Sequence, residues 1–396
     1  MEINIQTHDR FFVAMNILFV TPPPYLPNKL HRIRSYNLIH MLSKKNNIYV
    51  LSTTTQKIQQ DDIKSLRKNC KEVIHIPMSK VQGLINCLLH PHLPYEVAFC
   101  INNNTKSTIA KIIKRKKIDL IYFKRLRSAV YADKKINTPC LIDTTDAMSL
   151  FYKKLSEKSS GLRKLFYFLE SKKYFRYEKH VANKIRDWVV CSEYDKEYLQ
   201  TFLQVSLTTI PNSVEIPKRF PRKTNMTLAL LFQGLMDKPV NRDAITYFVK
   251  DIFPSLTKKH PNVRLFIVGP RPPKSIKNLM NKHIKVLGYV NDINVIYKQT
   301  TIVICPIRIG TGTRNKILQA WARRKPVVST SIGAEGLQYT NKKDIVIADT
   351  PKEFAKAIID IVTHESLQKR LQQNGFKTAE KYYSQHVIQK KLDRLL

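Results

Sequence analysis

TIVICPIRIGTGTRNKILQAWARRKPVVSTS, residues 301–331, is the stretch on which the reading of this chain turns. TIVICPI is an apolar run of strand length, KPVVSTS reads as a second strand, and NKILQAWA between them reads as a helix. Strand, turn, helix and strand in that order make the βαβ unit of a parallel sheet. The turn holds Gly310, Thr311, Gly312 and Thr313. Glycines let backbone N–H groups approach a ligand closely, and the start of a helix presents free donors and the positive end of a dipole. Arg314 and Lys316 add mobile positive charge, and Arg308 precedes the turn. A phosphate or a diphosphate is the natural guest of such a place.

The same alternation extends in both directions. LALLFQG and VRLFIVG are strands ending in glycine, IKVLGYV and DIVIA are further strands, and the tail from Pro351 to Leu396 is helical. Upstream, MNILFV (Met15 to Val20), the helical IRSYNLIHMLSKK and NIYVLST form another strand–helix–strand unit. VIHIP, IDLIYF, PCLID and DWVVCS continue that series. The polar, proline-bearing IPNSVEIPKRFPRKTN separates the two. The expected organisation is therefore α/β, with two doubly wound parallel-sheet domains and ligands bound at the carboxyl ends of the strands. Its boundaries are an extension at 1–14, a first Rossmann-like domain at 15–208, a linker at 209–225, a second Rossmann-like domain at 226–372 and a C-terminal helix at 373–396 packing back on the first domain. Met15 precedes the first strand directly, so residues 1–14 are read as an extension or a mis-assigned start.

Composition narrows the function classes. At 396 residues with 43% apolar content the chain is long enough for two separate cores. It has no apolar run long enough to span a bilayer. MEINIQTHDR lacks the apolar core of a secretory signal. The six cysteines form no CxxC pair and no ligand-like spacing with histidine, which points to reduced thiols and no structural zinc. A formal charge of +38 suits nucleic acid, an anionic membrane surface or phosphorylated ligands. The abundance of lysine, asparagine and isoleucine beside only 10 glycines also fits an AT-rich coding bias. Charge alone does not choose among these.

A more specific signal comes from several segments together. IGTGTRNKILQAWARRKPVVSTSIGAEGL (309–337) resembles the nucleotide-sugar-binding segment of family 4 glycosyltransferases of the two-Rossmann, GT-B type, and is especially close to the sugar transferases of exopolysaccharide clusters. ILFVTPPPYLPNKLHRIRSYNLIHML, LIDTTDAMSLFYKK, WVVCSEYDKEYL, TIPNSVEIP, FQGLMDKPVNRDAITYF and LGYVNDI agree with that family in order and spacing.

The resemblance implies a GT-B fold, two Rossmann-like domains facing across a cleft, and transfer of a hexose from a nucleoside-diphosphate sugar to a glycan or lipid-linked acceptor. It further implies retention of configuration and no metal or other cofactor, and the sequence has no Asp-x-Asp triplet. The implied donor site comprises Gly234, Tyr289, Val290, Gly310, Gly312, Thr313 and Gln319. Arg314 and Lys316 would neutralise the leaving diphosphate, with Asp146 and Arg127 as the other catalytic candidates. Tyr25, Arg32, Arg34 and Asp143 are the acceptor-side candidates. The expected location is cytoplasmic, peripheral on the inner face of the membrane. Departures from the family pattern are Gln319 and Thr311 at its two glutamate positions, and Leu30 and Ser213 at two glycines. They leave open a weakened or inactive relative that binds nucleotide or glycan without turnover. A basic nucleic-acid-binding protein is the remote alternative, without a supporting motif. For the aromatic, basic RKLFYFLESKKYFRYEK two readings stand: an aromatic side in the core with lysines outside, or a face resting on an anionic membrane.

Overall fold

The computed structural model describes residues 14–23, 26–27, 33–56, 58, 60–133, 135–218, 228–310 and 312–396. The candidates Tyr25 and Arg32, with Leu30, Thr311, residues 1–13 of the extension and 219–225 of the linker, lie outside them.

Strands β1 (Asn16–Thr21), β2 (Asn47–Thr54), β3 (Glu72–Pro77), β4 (Leu120–Lys124), β5 (Cys140–Thr145), β6 (Asp187–Val190) and β7 (Ser206–Thr209) form a seven-stranded sheet in the order β3-β2-β1-β4-β5-β6-β7. Strands β8 (Ala229–Gln233), β9 (Arg264–Val268), β10 (Ile284–Gly288), β11 (Ile302–Cys305), β12 (Val327–Ser329) and β13 (Val346–Ile347) form a six-stranded sheet in the order β10-β9-β8-β11-β12-β13. Both are doubly wound about a first strand flanked by its second and fourth neighbours, the order of dinucleotide-binding folds. The fold expected from the alternation is the one observed, two doubly wound α/β sheets in succession.

The physical reason is visible in the strands. Parallel sheets are covered by helices on both faces, so their strands run apolar throughout rather than alternating. Leu230, Leu231 and Phe232 of β8 and Ile302 to Cys305 of β11 are all fully buried. Trp321 anchors the second core, its indole N–H donating to the Asp344 carbonyl at 3.0 Å. Gly375 lies against that indole, where a Cβ would stand 2.5 Å from the ring.

By compactness the chain divides near Ile142, with Asp143–Leu396 and the short His90–Tyr95 segment in the second unit. Inside that unit the segment after β7 meets the tail, since Val214 N–H donates to the Tyr383 carbonyl at 2.8 Å. Among the described residues no helix is long and apolar enough to cross a membrane.

Candidate active site

β11 ends in Cys305, and Gly310 and Gly312 come before the helix Asn315–Ala322. Gly310 at φ 117° and Gly312 at φ 82° occupy backbone space that other residues enter only with strain. Gly310 also sits under the Arg314 guanidinium, whose Nη2 is 2.8 Å from where a Cβ would stand. A Cβ on Gly312 would fall on the Asp146 carboxylate. The two glycines are therefore required by geometry. An anionic side chain already rests at the turn read as an anion site.

The cations there are poorly satisfied. Nε and Nη2 of Arg314 are buried without a hydrogen-bond partner. Buried donors are nearly always paired, so these two guanidinium nitrogens are placed to meet an acceptor brought by a ligand. Lys316 is buried, its ammonium donating to Asn241 Oδ1 at 3.0 Å and standing 4.0 Å from the centre of the Phe232 ring. Burial, helped by the adjacent Arg314 charge, pushes its pKa down to about 8. Arg308 is differently placed. Its guanidinium grips Asp243 through two bonds of 3.1 and 2.6 Å and lies over Tyr247, so a carboxylate already balances its charge.

Asn241 joins the two glycine turns of this unit. Its amide donates to the Leu235 carbonyl at 2.9 Å and lies where a Cβ on Gly234 would intrude, while its oxygen holds Lys316. Gly234, Gly310, Gly312, Arg314 and Lys316 thus gather at the carboxyl ends of β8 and β11. Thr313 is buried and its hydroxyl accepts from the Asn212 amide at 2.7 Å, fixing the turn to the segment after β7. Tyr289 and Val290 follow β10, the tyrosine exposed and the valine packed against the core.

Gln319 is engaged from within. Its Oε1 accepts from Gln233 Nε2 at 2.5 Å, and Gln233 Oε1 in turn accepts from the Tyr297 hydroxyl at 3.2 Å. The oxygen offered to a ribose hydroxyl therefore already holds one bond. Gln319→Glu places a charged acceptor opposite the same Gln233 amide, leaving a second carboxylate oxygen for ligand. The expected result is a fall in donor KM of roughly threefold to tenfold, measured by initial rates over a donor titration.

Asp143 lies within β5 and Asp146 directly follows it, and both belong to the same compact unit as the turn. Asp143 is fully buried and accepts from the Thr145 hydroxyl at 3.4 Å. Asp146 faces Asp195, whose carboxyl is pushed up to about 6 by burial first and by the Asp146 charge second. Asp195 accepts the Ala147 N–H at 3.0 Å and the Ser192 hydroxyl at 2.5 Å, which holds the loop carrying Asp146. Glu335 stands nearby in the same unit, bonded to Lys154 Nζ at 2.5 Å with its other oxygen buried and unpaired. Arg34 and Arg127 lie in the first unit. Arg127 is tied to Glu96 at 2.5 Å and to the Pro23 carbonyl at 2.9 Å.

Asn241, Gln233, Asn212, Asp195 and Glu335 are neighbours of the site that no local sequence pattern singles out. Asn241, Asp195 and Asn212 lie in FQGLMDKPVNRDAITYF, WVVCSEYDKEYL and TIPNSVEIP, so the family-like segments were the available signal. Among the described residues no group of three or more His, Cys, Asp or Glu is placed to hold a metal ion.

Residues 227–364 match the model of the family described as glycosyl transferases group 1. Along 398 aligned residues the chain is 25% identical to an uncharacterized 44.6 kDa protein in the cps region of Klebsiella pneumoniae, covering 95% of this chain and 98% of that one. In structure it is similar to sucrose-phosphate synthase from Thermosynechococcus elongatus, with a TM-score of 0.68 at 14% identity, covering 96% of this chain and 98% of the other. It is likewise similar to Anabaena HepE in complex with UDP and glucose, with a TM-score of 0.65 at 14% identity, covering 96% and 99% of the two chains.

Proposed function

We propose that this chain, a glycosyltransferase of GT-B fold with a glycosyl transferases group 1 domain at 227–364, moves a hexose from a nucleoside-diphosphate sugar to a glycan or lipid-linked acceptor. The observation that carries the donor half is the pair of orphaned Arg314 nitrogens beside the desolvated Lys316 ammonium. Cations held out of water and, among the described residues, without an ion pair fit a polyphosphate that brings its own charge. The similarity to HepE, described with UDP and glucose, supports the same class of ligand. The 25% relative in a cps region supports a polysaccharide product.

In this reading the diphosphate lies on the Gly310–Thr313 turn, and Gly234 gives it a second close backbone approach. The bond from the anomeric carbon to the phosphate oxygen breaks as the acceptor oxygen bonds to that carbon. Charge builds on the leaving diphosphate, so Arg314 and Lys316 stabilise the transition state more than the ground state. Asp146 orients the acceptor hydroxyl or takes its proton. Gln319 and Tyr289 meet the ribose and base, and Asp143 and Arg34 remain acceptor-side candidates. Retention of configuration and independence of metal and other cofactors belong to the proposal, as does action at the cytoplasmic face of the membrane.

The test is a panel of UDP-, GDP- and ADP-sugars with glycan and lipid-linked acceptors, followed by nucleotide release and by the anomeric proton of the product. Release with chelator present and an unchanged anomer is expected. An inverted anomer, or release only on adding a divalent ion, contradicts the corresponding part. A second reading is favoured by one observation, the occupied Gln319 oxygen: a relative that binds nucleotide without turnover. Tight binding with no release in both wild type and Gln319→Glu would establish it.

Lys316 also sets a pH dependence. The protonated amine is the form that binds a diphosphate, and in the free protein it loses its proton around pH 8. Apparent donor affinity should therefore hold below pH 8 and fall by up to about tenfold per unit above it, until the bound-state pKa is reached. Because the folded pKa lies below the unfolded one, the same buried cation costs stability at neutral pH, and that cost is relieved as pH rises above about 8. Donor KM measured from pH 7 to pH 10 checks the first statement; a flat profile contradicts it.

A further inference from the structure

The helix Gly161–Ala182 changes character along its length. Its C-terminal half packs inward through Tyr174, Tyr177 and Val181. In its first half, Leu162, Leu165, Phe166 and Leu169 recur at i, i+3, i+4 and i+7, the spacing of one helix face. Such a stripe ordinarily meets a core. Here it faces solvent, from 86% exposed at Leu162 to 45% at Phe166, with Phe168 exposed beside it. Tyr95 extends the apolar area, its ring 5.8 Å from that of Phe166.

The charges on this helix are sorted by sign. Arg163, Lys164, Lys172, Arg176 and Lys179 are all exposed. Lys172 and Arg176 prolong the Leu165–Leu169 row by i+7 and i+11 from Leu165, on the same face. The two acids, Glu170 and Glu178, are turned inward and 1% exposed. Glu170 accepts the Tyr95 N–H at 2.9 Å, and Glu178 accepts from the Ser149 N–H and hydroxyl at 3.1 and 2.5 Å. The outward face is thus apolar and cationic, without a carboxylate.

We propose that this face of Gly161–Ala182 seats the protein on an anionic lipid bilayer. Leucine and phenylalanine enter the boundary between headgroups and chains, while lysine and arginine reach lipid phosphates. A polynucleotide would use the cations and leave the Leu162–Leu169 stripe in water. A second copy in a symmetric pair would set the same cations against each other. For its purpose the proposal rests on the glycan or lipid-linked acceptor proposed above, but its readout is independent of turnover.

The test is sedimentation of the full chain with vesicles of phosphatidylcholine alone and of phosphatidylcholine mixed with phosphatidylglycerol. Binding to the anionic vesicles only, weakening as salt rises, is expected. Leu165→Ser/Phe166→Ser should weaken it by at least about tenfold through lost apolar burial. Lys172→Glu/Arg176→Glu should weaken it comparably and flatten the salt dependence. All four side chains face solvent or its edge, so melting temperatures should match wild type and separate lost contact from lost fold. Nucleotide release is assayed in parallel with a water-soluble acceptor. A wild type that ignores anionic vesicles, variants that bind them as wild type does, or a wild-type dimer broken by Leu165→Ser/Phe166→Ser without vesicle binding, each overturns the surface. Release that persists in those cases leaves the proposed reaction standing; absent release with vesicle binding intact does the reverse.

Discussion

Lys316→Met is expected to lower kcat/KM for the nucleotide sugar by roughly 10²- to 10³-fold, the loss seen when one preorganised group facing developing charge is removed. The ammonium lies beside the Phe232 ring in a buried pocket at the head of the helix Asn315–Ala322. Methionine keeps the length and apolar body of the side chain and removes only the charge. Removing a buried, desolvated cation relieves a cost of folding, so the melting temperature should hold or rise. That combination separates a catalytic cation from a structural one, because a structural role predicts lower stability along with lower activity. Steady-state kinetics and a thermal melt on the same preparation provide both readings. A variant with near-normal kcat/KM contradicts the assignment.

Gly312→Ala is the second large effect. At φ 82° an alanine costs about 1–2 kcal/mol in backbone strain alone. Its Cβ would also collide with Asp146, so the turn or the aspartate must move. A shift of about 1 Å in the turn proposed to position the diphosphate is worth on the order of 10²-fold in rate. Expected are a lower melting temperature and a loss of turnover of that order. Adding Asp146→Ala should recover part of the stability and none of the activity, since it removes the collision but also the carboxylate proposed to act on the acceptor. Full stability in the single variant contradicts the geometry described for the turn.

The parts of this protein that were legible in its sequence are those with a local physical signature. Buried parallel strands read as apolar runs, and every strand followed from them except β7 (Ser206–Thr209), a polar edge strand without that signature. The turn at Gly310 and Gly312 was readable because only glycine sits easily at positive φ before a helix start. The resemblance extended that to Gly234, Asn241 and Thr313 by segment, though not to their contacts. What escaped was assembled from residues far apart in sequence. Asp146, Asp195 and Glu335 affect one another across 49 and 140 positions, and no periodicity links them. Gln319 looked like a weaker ribose acceptor; that its oxygen holds the Gln233 amide depends on β8 lying beside its helix. The Gly161–Ala182 helix was ambiguous for a different reason. It carries apolar residues on more than one face, so only burial could show that one set enters the core and another remains outside.

In the proposed function the Gly310–Thr313 turn with Arg314 and Lys316 holds a nucleoside diphosphate. Calorimetric titration of UDP, GDP and ADP into wild type and into Arg314→Ala/Lys316→Met decides this. The expected result is that one of the three binds the wild type and that its affinity falls at least about a hundredfold in the double variant, with the fold unchanged by melting temperature. Equal affinity in both proteins, or no binding of any of the three to the wild type, would contradict it.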